Sequence, residues 1–192
     1  MKPSANAVLA LAATFTVTFA IGPGLAGCGT APKTQDRAVF KDEAKAAKLW
    51  FETNVPGVKK QIADSAGYIV FPHVGQAGFV IGGTYGRGAV YDARGLQTGW
   101  AAVSKGSLGL QIGGQGFKML MVLEDDKAMR RFKNGSWSGD VGATVVLGTE
   151  GGAATAPFHE GVAIYIGDQS GAMAGMQVAL ANISYRGVGD VE

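Results

Sequence analysis

The residues best able to do chemistry in this chain are few. Glycines stand at 82, 83, 86 and 88 around Arg87, there are two histidines, and acids, lysines and arginines are scattered between them. Glycine beside a cation is how many proteins cradle phosphate, because backbone amides can close on an anion where no Cβ intervenes. The stretch FVIGGTYGRGAVY, residues 79–91, does not fit that chemistry. G-x-x-x-x-G-K-[ST] is absent, and the one G-x-G-x-x-G, at Gly22, Gly24 and Gly27, falls within an apolar leader. No helix start follows residues 79–91, and bulky side chains alternate there with small ones, which is the period of a strand.

Catalytic groupings are missing as well. His73 and His159 lie in no H-E-x-x-H pattern and have no nearby cysteine, and Ser107 in KGSLG does not form G-x-S-x-G. His159 and Glu160 are neighbours, which in a strand would put them on opposite faces, so both histidines read as surface or loop-end positions. Asp64, Asp92 and Asp140 stand near turns, where capping is the usual use of aspartate. One cysteine excludes an internal disulfide and any multi-cysteine metal centre. The expectation is a non-enzyme with no catalytic residues, metal or cofactor.

The basic residues remain. Lys41, Lys45 and Lys48 share one face of an expected helix, and from Lys59 to Lys118 the bases Lys59, Lys60, Arg87, Arg94, Lys105 and Lys118 face only Asp64 and Asp92. Such a surface can bind phosphate headgroups, at about 1 kcal/mol per Lys or Arg near an anionic membrane. A solvated helix face and chance segregation of charge are the plainer readings. The net charge of +2 gives no reason to expect nucleic-acid binding.

The elements that must position these bases follow from periodicity. A basic start, an apolar run over 5–21 and then Leu25-Ala26-Gly27-Cys28 describe a signal peptide over 1–27, with a close likeness to a bacterial lipobox. Cys28 is the expected lipidation site, 28–35 a flexible tether, and 36–192 a single domain, helical over 36–65 and β-rich over 66–187. Gly29, rather than aspartate, after the cysteine favours the outer membrane, on its periplasmic or exterior side. No later segment is apolar enough to cross a bilayer as a helix. Asp36 is placed to cap a helix to about Thr53, with Val39, Phe40, Ala44, Ala47, Trp50 and Phe51 as its apolar stripe and the lysines opposite. A second helix starts at Pro56 and ends near Gly67. Strands are expected at 66–72, closed by proline, and at 79–91, 97–104, 107–123, 139–148, 161–167 and 172–185. DARG (92–95) is a turn, GDQSG (167–171) the last hairpin loop, and residues 125–133 a short helix. The fold class is α+β: a mostly antiparallel, Gly-rich, strongly bent or barrel-like meander, with the N-terminal amphipathic helices pressed on its glycines.

The run AGYIVFPHVGQAGFVIGGTYGRGAVY, then SLGLQIGGQ, EDDKAMRRF, GDVGATV and AIYIGDQSGAMAGM, resembles the SYLF domain family over about residues 50–187. The resemblance implies a non-catalytic module that binds membrane lipids, phosphoinositides in eukaryotic members, and actin in fungi. It also implies that the helix at 36–53 helps engage the bilayer. With a lipobox, anionic phospholipid is the expected partner. The alternative is a structural lipoprotein that meets another envelope or host protein, with actin relevant only in a host cytosol.

Overall fold

A computed structural model of the chain describes residues 29–78, 81–108, 113–135, 145–148, 155–170 and 183–190. Cys28, Asp140 and the leader lie outside these residues, so the expectations placed on them are not addressed by the structure. The elements are α1 (Arg37–Asn54), α2 (Val58–Ala63), β1 (Gly67–Gly78), β2 (Ile81–Asp92), β3 (Gln97–Leu108), β4 (Gly113–Leu123), α3 (Asp126–Lys133), β5 (Val145–Gly148), β6 (Val162–Ser170) and β7 (Ile183–Gly187). None of the described helices is long and apolar enough to cross a membrane.

The α+β class holds, but the chain is not a simple meander. The strands lie in the order β5-β6-β4-β1-β2-β3-β7. Only β1-β2-β3 runs consecutively; β4 returns to the far side of β1, and β5 pairs with β6 in parallel. The sheet stays open, with β5 and β7 as its described edges. It is nevertheless bent. Four places separate β4 from β7, about 19 Å on a flat sheet, yet α3 follows directly on β4 and sets Phe132 against Tyr185 of β7, ring centres 5.8 Å apart. One helix spans that gap only if the sheet curls around it. Ile69, Phe71, Met119, Met121, Ile164 and Ile166 fill the concave side with α3.

The convex side carries α1 and α2. From Arg37 to Asn54 the chain has neither Gly nor Pro and is rich in Ala, Lys and Glu, so helix propensity is high. Ala44, Ala47 and Phe51 are buried at three- and four-residue steps, and the alanines let the helix lie close to the strands. Val39, expected on that stripe, is instead 63% exposed. Asp36 makes no side-chain cap, whereas Asp125 does cap α3, accepting from the Ala128 amide at 2.7 Å. The pressing of α1 on glycine is real at Gly167, where the Trp50 indole occupies the space a Cβ would need. At Gly86 and Gly88 the space is taken from the concave side, by Val74 and by Ile69 and Phe71. Glycine therefore serves the curl of the sheet there, and residues 81–92 are a strand.

Two boundaries differ from expectation. β1 does not stop at Pro72 but absorbs it as a bulge and continues to Gly78. The expected hairpin loop at 167–171 belongs to β6 as far as Ser170.

Candidate functional site

α1 runs along β1 in the opposite sense: Glu43 reaches His73, and Lys48 reaches Tyr68. Near the C-terminal end of α1, its last turns, α2 and the β2–β3 turn enclose a cleft of about 240 Å3. Its walls carry Lys48 and Glu52 from α1, Lys59 from α2, Tyr68 from β1 and Arg94 with Gly95 from the turn.

Each wall has a local cause. Gly57, at φ 81°, turns the chain sharply between α1 and α2, a conformation only glycine adopts without strain. Asp92 builds the β2–β3 turn by accepting the amides of Arg94 and Leu96, both at 2.9 Å, while pairing with the Arg94 guanidinium at 2.9 Å. The Leu96 amide first, and Arg94 after it, hold the Asp92 carboxyl below the usual aspartate range, against some desolvation. Gly95 completes the turn at φ 75°, as its sequence position required.

The floor is aromatic. Tyr68 stacks on Tyr91 with ring centres 4.9 Å apart and planes at 15°. Lys48 lies 5.5 Å above the Tyr68 ring and 2.6 Å from Glu52. Burial, then Tyr91, Glu52 and Asp92, push the Tyr68 hydroxyl up to about 12, so it remains protonated at neutral pH. The cleft thus offers three cations against Glu52 and the already engaged Asp92. Leu49 and Leu96, adjacent in sequence to Lys48 and Gly95, are 63% and 56% exposed.

Of the nine bases singled out in the sequence, the cleft gathers Lys48, Lys59 and Arg94. Lys60 is exposed on α2 and pairs with Asp64. Lys41 and Lys45 lie on the exposed side of α1, Lys45 3.0 Å from Asp42. Arg87 donates from Nε to the Gly29 carbonyl at 3.0 Å and sits 5.6 Å from the Tyr85 ring centre. Lys118 pairs with Asp168 on another part of the sheet. The Lys105 side chain falls outside the described residues. Tyr68 and Glu52 were not anticipated, and only the strand alternation of Tyr68 with Val70 could have indicated its face.

A larger recess of about 370 Å3 lies beside α3, lined by Glu124, Asp125, Lys127, Arg131 and Glu160. Its groups are committed to the fold: Asp125 caps α3, and Arg131 binds the Glu160 carbonyl. Among the described residues no group of three His, Cys, Asp or Glu side chains could hold a metal ion.

Residues 104–188, from the end of β3 to the last described turn, match the family model Ysc84, described as Las17-binding protein actin regulator. This is the SYLF family, and the match covers less than half of the chain. No curated protein matches the chain.

Proposed function

We propose that this protein binds anionic phospholipid headgroups through the cleft, a reading supported by the match of residues 104–188 to the model of a family of lipid- and actin-binding modules. The observation that carries the reading is that Lys48, Lys59 and Arg94 line one cleft with Tyr68. The three cations attract a phosphate, and the Tyr68 hydroxyl adds a neutral donor. Exposed Leu49 and Leu96 next to the cationic residues suit a bilayer, which offers apolar depth beneath its headgroups, better than a free anion in water. Lys41, Lys45, Lys60, Arg87, Lys105 and Lys118 add longer-range attraction to the same membrane, with Lys45, Lys60 and Lys118 weakened by an acid partner.

The anchor is Cys28, acylated after removal of residues 1–27, which holds the domain at an outer-membrane surface and raises its effective concentration there. Phosphoinositide is a ligand only where a host membrane supplies it. Metabolic acyl labelling that is lost in Cys28→Ser checks the anchor.

Vesicle flotation tests the headgroup site. Binding to phosphatidylglycerol vesicles should exceed binding to phosphatidylcholine and fall as salt rises. It should drop about 30-fold in Lys59→Ala/Arg94→Ala, from two cations at about 1 kcal/mol each. Equal, salt-independent retention on both vesicles would refute the proposal. The family description favours one second reading, a protein ligand. Capture of a stable envelope partner without vesicle binding would support it.

A further inference from the structure

At the N-terminal end of the α1–β1 contact the sheet loses its regularity. The partners Val70↔Ala89 and His73↔Arg87 leave Phe71 and Pro72 opposite the single residue Gly88. On the other side of β1, Phe71↔Met119 and Val74↔Phe117 leave Pro72 and His73 opposite Lys118. β6 does the same from the far side of β4: Gly116↔Ser170 and Lys118↔Gly167 leave Asp168 and Gln169 opposite Phe117. Both neighbours of β4 therefore carry one extra residue at the level of Phe117 and Lys118.

Proline accounts for the first bulge, since it has no amide to give the ladder. The second contains Asp168 at φ 50°, a left-handed backbone uncommon for any residue but glycine. Bulges re-aim side chains, and strained residues gather at binding sites.

Between the bulges lies a groove of about 320 Å3. Gly75 and Gly116 are paired across its floor, and a Cβ added to Gly75 would meet nothing closer than the Tyr85 carbonyl oxygen at 3.9 Å. One wall carries Lys118 paired with Asp168, the acid half-exposed at 51%. The other carries His73, whose Nε2 is 3.7 Å from the Glu43 carboxylate. One wall thus holds a base and an acid, and the other a histidine backed by an acid. A simple anion entering here meets Asp168, and a simple cation meets Lys118, so neither is well matched.

We propose that this groove binds a small zwitterion, a primary ammonium a few bonds from an anionic oxygen, of which phosphoethanolamine is the type. The ammonium donates to Asp168, whose two oxygens accept several hydrogen bonds. The anionic oxygen accepts from Lys118, which has three N–H groups to share. Ligand and ion pair then form an alternating array in which every charge has opposite neighbours. The glycine floor leaves room for the methylene linker. The ligand's source is either a lipid headgroup or a free small molecule, and the site does not depend on the cationic cleft.

Calorimetric titration of the full chain with phosphoethanolamine, phosphocholine and inorganic phosphate tests the match, followed by flotation on phosphatidylcholine vesicles with and without phosphatidylethanolamine. Phosphoethanolamine should bind and should shift the His73 ring resonances. Phosphocholine, with no N–H on its cation, should bind about tenfold or more weakly. Asp168→Asn, which tolerates the left-handed backbone, and Lys118→Gln should each weaken phosphoethanolamine by a similar factor with an unchanged thermal melt. Binding of the free zwitterion alone identifies a soluble ligand, and retention on phosphatidylethanolamine vesicles identifies a headgroup. No binding of either, or equal binding by phosphocholine or by both variants, overturns the proposal.

Discussion

The cleft and the groove lie on the same face of one sheet, near opposite ends of the α1–β1 contact, and they are built by different means. The cleft is made of side chains carried by regular elements: a helix, a short second helix and a tight turn bring Lys48, Lys59 and Arg94 together. The groove is made by the backbone, through two bulges and two glycines, and its charges cancel. The first can be altered by exchanging side chains with little effect on the strands. The second cannot be separated from the way the strands are paired.

That contrast can be broken at its common support. Phe51 is fully buried beneath α1, so Phe51→Ala should cost about 3–5 kcal/mol. A urea melt should record that loss, and both ligand classes should weaken together. If only one weakens, α1 is not the shared support. Gly167→Ala should be milder, about 1–3 kcal/mol, because the Trp50 ring must move aside. As Gly167 adjoins Asp168, phosphoethanolamine titration should reveal damage at the groove while vesicle binding through the cleft survives.

At the other end, Asp92→Ala removes the acceptor of two turn amides and should cost about 1–2 kcal/mol. The same contact has a pH signature. The Asp92 carboxyl is held below its ordinary value in the folded chain. Its contribution is therefore complete above the ordinary aspartate range, about 3.9, and is lost as pH falls through the lower folded value. Unfolding measured from pH 6 downward should show this acid sensitivity shrink in the variant. The smallest effect lies at the alkaline end. The Tyr68 hydroxyl is raised to about 12, so its contribution is whole below about 10 and fades as pH climbs through 12. Difference absorbance of wild type against Tyr68→Phe should isolate this late titration.

The sequence made one of these regions much more visible than the other. Alternation in residues 79–91 marked a strand, DARG marked its turn, Lys59 and Arg94 stood out because few acids accompany them, and Lys48 stood out on the lysine face of its helix. Which bases meet was not legible, since that depends on α1 running against β1, a tertiary choice. In the groove Lys118 stood out as a base, but its partner Asp168, fifty positions later, did not. The groove's bulges were masked by local rules that hold more often than not: proline closes strands, and GDQSG makes loops. Both rules gave way here because the neighbouring strands could absorb an extra residue while keeping their apolar faces in register.

Residues 29–32 carry a mechanical consequence. The Gly29 carbonyl is gripped by Arg87 on β2, the Thr30 hydroxyl meets that of Ser184 on β7 at 3.1 Å, and Pro32 is buried. A load arriving through the chain upstream of Gly29 is therefore taken up first by the strands, before it can reach and unwind α1. The domain is hitched through its sheet, ahead of the helix that helps shape both binding regions.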